Sequence, residues 1–267
     1  MRHPIQLIST DFDGTLFAEF EQPPVPQALQ RLIGALQSEG ATWVINTGRD
    51  MSSLMEALGR ARLSIRPDFL VLVEREIYRH EGAQYRSVED WNRRCRQDHE
   101  ELFQRIRDDL AGLVAWVNDG FDATVYADAY SPFCLIAENN GDADRILDHL
   151  EAYCRTVPDL TVVRNDVYAR LSHTAYSKGT ALAEIARDLG IGPEQTLAAG
   201  DHANDLPMLS RHHAHYLVAP ANAIGCVKTA VRSQGGYVSN LPHGEGVRQG
   251  IEFHLEAASS HRGRVSP

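Results

Sequence analysis

Hydrophobic positions fall along this chain in two rhythms. Short runs rich in apolar and β-branched residues recur at 5–10, 41–46, 69–73, 196–199 and 215–219, and each stops at a polar or turn-forming residue. Such runs read as strands, and the continuous Phe-Leu-Val-Leu-Val of 69–73 predicts burial on both faces. Between them lie stretches with the helical period. Leu29, Leu32, Ile33 and Leu36 precede Gly40, and Leu182, Ile185, Ala186 and Leu189 precede Gly190. A helix of about three turns is expected from Met51. A short helix is expected around Leu206, Met208 and Leu209, another over 223–233, a sixth strand at 236–239 and a last helix from near Glu245. Strands and helices in alternation predict an α/β fold with a doubly wound, mainly parallel sheet.

The rhythm changes between 85 and 171. A charged helix with Trp91, Leu102, Phe103, Ile106 and Leu110 leads into strand-like runs at 113–117, 123–126 and 133–137. A second helix at 143–154 leads into runs at 160–163 and 167–171. That order predicts an α+β unit with helices on one face of a mainly antiparallel sheet. The chain therefore divides into a core, residues 1–84 with 172–267, and an inserted domain, residues 85–171. Trp91, Trp116 and Tyr126 are expected in the insert's core, stacking on a sugar being the other use of such rings.

Composition narrows the function. A chain of 267 residues can bury a large core, and a net charge of −10 argues against a nucleic-acid partner. Cys95, Cys134, Cys154 and Cys226 form no Cys-x-x-Cys, so they read as reduced thiols of a cytoplasmic protein rather than as a zinc site or disulfide framework. Met1-Arg2-His3-Pro4 runs straight into the first strand without a signal-peptide core, and no apolar run is long enough to span a membrane. The tail 259–267 is polar and expected to fray.

Candidate chemistry stands where the apolar runs stop, at the strand ends where open α/β sheets bind ligands. Asp11 and Asp13 flank Phe12 and are followed by Gly14-Thr15. A turn at Gly14 swings Asp13 away from Asp11 and gives each carboxylate its own role. Taken alone, the pentapeptide reads equally as an acidic turn capping a helix. Thr47 and Gly48 offer a hydroxyl and a backbone N–H before a helix, either an anion cradle or a plain cap. Lys178 opens a helix where a cation opposes the macrodipole, so only partners distinguish it from a solvated surface lysine. Gly200-Asp201-His202-Ala203-Asn204-Asp205 again delivers acid and amide groups to a strand end, where capping is the alternative.

These four stretches, in this order, resemble the motifs of the haloacid-dehalogenase superfamily of phosphohydrolases, and a large insert between the second and third resembles its Cof-type branch. Pro67-Asp68-Phe69-Leu70-Val71, Glu76-Ile77-Tyr78 and residues 244–254 resemble sucrose-phosphate phosphatases and related sugar phosphatases. Glu74-Arg75 stands where many Cof-type members have Asn-Gly. The resemblance implies a Rossmann-like core with an inserted α+β cap. It makes Asp11 the nucleophile that forms an aspartyl phosphate and Asp13 the general acid and base. It sets Phe12, Thr47, Gly48, Lys178 and Asn204 around the substrate phosphate. Carboxylates 11, 13, 201 and 205 then crowd together and call for a cation, and oxygen ligands suit Mg²⁺. Asp11, the Asp13 carbonyl and Asp201 are the implied ligands, with Asp205 behind them holding Lys178 or a metal-bound water. Arg49 is read as structural. His202 is given no catalytic or ligand role, since Mg²⁺ prefers oxygen and Asp13 already supplies acid and base, and the run His212, His213, His215 is read as helix-end and surface histidines.

The expected activity is Mg²⁺-dependent hydrolysis of a small phosphomonoester, a sugar phosphate first. The rivals are a phosphomutase, which would use Arg164 or Arg170 for a second phosphate, and a non-catalytic phosphometabolite-binding protein.

Overall fold

The computed structural model describes residues 4–262, so the expectations for residues 1–3 and for the tail beyond 262 lie outside the described residues. The chain falls into two compact units, one built from the stretches up to Val88 and from Ser177 onward, the other from Glu89–Tyr176.

The first unit starts with β1 (Leu7–Thr10), α1 (Gln27–Ser38), β2 (Thr42–Asn46), α2 (Met51–Ala61) and β3 (Phe69–Leu72), followed by β4 (Glu76–Glu81) and β5 (Gln84–Ser87). The second contains α3 (Glu89–Arg105), α4 (Leu110–Gly120), β6 (Ala123–Tyr126), β7 (Cys134–Ala137), α5 (Asn140–Cys154), β8 (Leu160–Asn165) and β9 (Tyr168–His173). The first unit resumes with α6 (Lys178–Leu189), β10 (Thr196–Ala199), β11 (Tyr216–Ala219), α7 (Gly225–Ser233), β12 (Tyr237–Val238) and α8 (His243–Arg262).

The large sheet runs β12-β11-β10-β1-β2-β3-β4-β5, parallel from β12 to β3 and antiparallel beyond. All of β1 is buried, as a central strand must be. Alternate residues divide its faces. Ile8 joins Leu29, Ile33, Trp43, Leu54, Val247 and Ile251, so α1, α2 and α8 share one apolar layer. Ser9 faces the other way, its hydroxyl on the Met208 sulfur, beside Asn46, whose amide holds the Lys178 carbonyl at 2.9 Å. Burying Val247 and Ile251 is worth roughly 1.5–3 kcal/mol each. From β1 the chain moves outward through β2 and β3, then returns to β10 on the opposite side. Strand order therefore reverses at β1, and the crevice at its carboxyl end is the switch point where such sheets bind ligands.

Four local expectations change. The hairpin β4–β5 extends the large sheet, so the contact boundaries fall after 88 and 176 rather than after 84 and 171. The run 113–117 is helical within α4, which buries Leu113 and Val117 one turn apart. A short apolar run does not separate strand from helix by pattern alone. Around Leu206 there is one 3₁₀ turn, Ala203–Asp205, rather than a longer helix. Residues 259–262 continue α8 instead of fraying.

In the second unit the sheet runs β6-β7-β9-β8 and is antiparallel throughout. Leu102, Leu113, Val117, Ile146 and Leu150 pack with Leu135, Ala137, Ala169 and Leu171 in its core. Trp91 is buried edge-on to Tyr176, but Trp116 and Tyr126 are exposed, correcting the expectation that all three sit in the core. Trp116 stacks flat on His149 with ring centroids 3.8 Å apart.

Candidate active site

Asp11 follows the last residue of β1, its N–H bonded to the Ala199 carbonyl of β10. Gly14 turns the chain at φ +76°, and a Cβ there would stand 2.5 Å from an Asp201 carboxylate oxygen. Only glycine meets both demands. The turn separates the two acids as expected. Asp11 is buried and bonded to Lys178, whereas Asp13 is partly exposed and gripped by Arg49, Nε to Oδ2 and Nη2 to Oδ1, both at 2.7 Å. The planar guanidinium matches the carboxylate fork and fixes its orientation.

Lys178 is the first residue of α6, whose N-terminus is closed by a reciprocal Ser177–Thr180 capping box. Its side chain is wholly buried, and Nζ donates to Asp11 Oδ1 and Asp205 Oδ1, each at 2.7 Å. Those partners explain a lysine where the helix dipole disfavours one. Burial pulls the ammonium pKa down, but Asp11, Asp205 and Glu74 more than reverse it, and it stands above the ordinary lysine value.

Asp205 is committed on both oxygens: Oδ1 to Lys178, Oδ2 to the N–H groups of Asp201 and His202. A Cβ on Gly200 would sit 2.5 Å from the Asp205 Cγ, so the loop closes only over a glycine. Asp201 accepts from Thr15 Oγ1 at 2.7 Å on Oδ1, and its Oδ2 lies 3.4 Å from the Asn222 amide. Asp11, Asp201 and Asp205 bring ligand oxygens within 4.8 Å of one another. One ammonium cannot balance three such acids. Burial first, then Asp205, lifts Asp11 well above the ordinary carboxylate range despite Lys178. Burial and then Asp205 push Asp201 up to about 6. A cluster short of positive charge and built from oxygen donors fits a divalent cation, for which Asp11 and Asp201 are better placed than the fully bonded Asp205.

Thr47 is buried after β2, its hydroxyl accepting from the Arg49 N–H at 3.2 Å, with Gly48 beside it. Asn204 is buried in the fourth loop, its amide donating to Glu74 Oε1 at 2.8 Å. The Phe12 side chain is core, stacked on Phe17 at 4.9 Å, so only its backbone N–H is available to a ligand. Arg49, Thr15 and Glu74 enter the site although the sequence reading gave them no role there. Arg49 lies 36 positions from Asp13, and no local spacing signals such a pair. His202 lends its N–H to Asp205, and its ring is not among the clustered ligand groups of the described residues. His215 pairs with Arg211 at 2.7 Å, and the rings of His212 and His213 meet edge to face at 4.8 Å.

A parallel sheet with its switch point at β1, and a buried lysine among carboxylates from separate loops, define a class of phosphohydrolase that the comparisons with known proteins then specify. Residues 4–118 match the family of sucrose-6F-phosphate phosphohydrolase, and residues 117–244 match the haloacid dehalogenase-like hydrolases. A phosphoglycolate phosphatase of Methanoculleus marisnigri is 27% identical over 93% of this chain and 96% of its own. The sucrose-phosphatase of Synechocystis sp., solved with sucrose and phosphate, superposes with a TM-score of 0.71 at 20% identity, covering 95% of this chain and 98% of that one. A haloacid dehalogenase-like hydrolase of Bacteroides thetaiotaomicron superposes at 0.62 with 19% identity, covering 93% and 98%. At these identities the superpositions speak for the fold. Together the two family matches span residues 4–244, and with the full-length phosphatase relative they support a haloacid dehalogenase-like phosphohydrolase of the Cof type.

Proposed function

We propose that this phosphatase is a Mg²⁺-dependent phosphomonoesterase that works through an aspartyl phosphate on a small phosphorylated metabolite, a sugar phosphate foremost. The observation that carries the reading is Lys178, buried without solvent contact between Asp11 and Asp205 at the switch-point crevice.

In this reading an Asp11 oxygen attacks phosphorus and the ester P–O bond breaks. Protonated Asp13 gives its proton to the departing alkoxide, and the phosphoryl group is left on Asp11. Asp13, now a carboxylate, takes a proton from the attacking water. The bond from phosphorus to Asp11 breaks, releasing inorganic phosphate and restoring both acids. Arg49 grips both Asp13 oxygens in this structure, so in this reading it orients the carboxylate and releases one oxygen when Asp13 carries the proton. Lys178, the Thr47 hydroxyl, the N–H groups of Phe12 and Gly48 and the Asn204 amide hold the phosphate oxygens, which is most of what phosphoryl transfer asks of a protein. Asp11, the Asp13 carbonyl and Asp201 would hold Mg²⁺, which when bound supplies positive charge to the carboxylates and to the transferring group. Asp205 holds Lys178 in place.

The substrate class rests on relatives named for phosphoglycolate and for sucrose phosphate, both phosphomonoesters. Choice among leaving groups is assigned to the inserted unit. Free thiols at Cys95, Cys134, Cys154 and Cys226 agree with a cytoplasmic setting, and no helix among the described residues is long and apolar enough to cross a membrane. The two arginines offered for the mutase reading have other partners: Arg164 is tied to Asp144, to Asn140 and to the Asp166 carbonyl, and Arg170 lies over the Tyr168 ring.

The test is phosphate release from a panel of phosphorylated sugars, polyols, acids and nucleotides, after chelation and after adding back Mg²⁺. Release that requires Mg²⁺ is expected. Isomerised sugar phosphate without free phosphate would establish a mutase, and binding without turnover would establish a sensor.

A further inference from the structure

The turn after β3 carries a feature that the proposed reaction does not use. Val73 and Glu74 are consecutive non-glycine residues at φ +45° and +68°, in the left-handed region that L side chains avoid and β-branched ones avoid most. Backbone held there persists only when its surroundings over-determine it, and such residues gather at functional sites. Here the surroundings are the phosphate-binding loops. The Val73 N–H bonds the Arg49 carbonyl at 3.0 Å, and the Glu74 N–H bonds the Thr47 carbonyl at 2.9 Å. The Glu74 side chain is buried. Its Oε1 accepts from Asn204 Nδ2 at 2.8 Å and lies 3.4 Å from where a Cβ on Gly48 would be. It is also the third carboxylate, after Asp11 and Asp205, to act on Lys178.

We infer that Glu74 is a positioning residue for the transferred phosphate, acting through Asn204. A carboxylate only accepts, so it compels the amide to turn Nδ2 toward it and fixes the plane of both N–H groups. One N–H is spent on Glu74, and the other is thereby aimed. The opposite side of the same amide bears the mark of this constraint. Asn204 Oδ1 is buried with no hydrogen-bond partner, an arrangement the side chain would leave by rotating if Nδ2 were not held. The hydrogen bonds from Val73 and Glu74 set this anchor against the Thr47–Arg49 loop, so one turn ties the second and fourth loops together. This inference rests on the phosphatase reading above and adds a residue to it.

Glu74→Gly tests it, because glycine removes the side chain while relieving the left-handed backbone. The variant should melt at or above the wild-type temperature. Its kcat/KM with the best phosphomonoester should fall about tenfold or more, the scale of losing one charge-assisted hydrogen bond. Inorganic phosphate should bind the Mg²⁺-loaded variant correspondingly more weakly by titration calorimetry. Glu74→Gln keeps the side-chain volume and one acceptor but not the negative charge, and should recover part of the loss but not all of it. A carboxylate that merely repels the substrate predicts the reverse, tighter phosphate binding in Glu74→Gly, and that result overturns the inference. So does unchanged phosphate affinity with unchanged kcat/KM. If Glu74→Gly melts well below wild type, Glu74→Gln decides alone. Wild-type values would then overturn a role for the fixed negative charge, and a loss of phosphate affinity at full stability would support it. A wild-type protein that binds phosphate but hydrolyses nothing would refute the phosphatase reading, leaving the affinity comparison to judge Glu74.

Discussion

The loops at the carboxyl ends of β1, β2, β3 and β10 and the outer surface of the inserted unit treat charge in opposite ways. In the loops Lys178, Asp11, Asp205 and Glu74 are buried, and nearly every polar atom named there is bound to another loop. On the insert several pairs are local and wet. Arg93–Asp90 is three residues apart along α3, with side chains 67% and 85% exposed, and Arg145–Asp142 repeats the spacing on α5 with Arg145 exposed. Exposed pairs of this kind add little, whereas a buried group stripped of its partner is costly. Charge has been concentrated where it can act on a ligand, at the expense of a cluster that is strained without a cation.

The sharpest way to break this contrast is Lys178→Ala. It leaves Asp11 and Asp205 buried and facing each other, so urea denaturation should show a loss of about 3–5 kcal/mol together with abolished turnover. A variant as stable as wild type would mean that the cluster is solvated and not the dry ionic site described.

Next in size is the response to pH and metal. Asp201 is pushed up to about 6 and Asp11 is raised, so the folded state holds protons that the unfolded chain releases near pH 4. The stability these groups lend is present at low pH and is lost as pH rises through their folded values. The metal-free protein should therefore lose the Asp201 contribution as pH rises from about 4 through about 6. A divalent cation favours the ionised acids, so Mg²⁺ should raise the melting temperature more at pH 7.5 than at pH 5. An equal rise at both values would contradict the charge argument.

The smallest effect belongs to the insert: Arg93→Ala should shift stability by no more than about 0.5 kcal/mol and leave phosphate release unchanged.

Legibility follows the same division. In the core, β1, β2, β10 and the helices before Gly40 and Gly190 can be read from the chain, because burial on both faces and the helical period leave plain marks. Of the clustered residues only Lys178 is locally unexpected, since capping accounts equally for Asp11, Asp201 and Asp205 until the fold brings the three acids together. The hairpin β4–β5 is not legible, because Glu76-Ile77-Tyr78-Arg79-His80-Glu81 shows little apolar alternation and pairs at the sheet's open edge. Neither is α4, whose apolar run fits two periods at once. The Arg49–Asp13 grip and the Glu74–Asn204 bond join residues 36 and 130 positions apart. Only the fold brings them together, and a left-handed Glu74 leaves no trace in residue type.

The central claim, that Asp11 carries the phosphoryl group between substrate and water, is tested most directly by acid-quenching the Mg²⁺-loaded enzyme during turnover and locating phosphate by peptide mass spectrometry. The account predicts an acyl phosphate on the peptide containing Asp11, and neither label nor turnover in a folded Asp11→Asn protein. Sustained turnover by Asp11→Asn, or phosphate found on another residue, would contradict it.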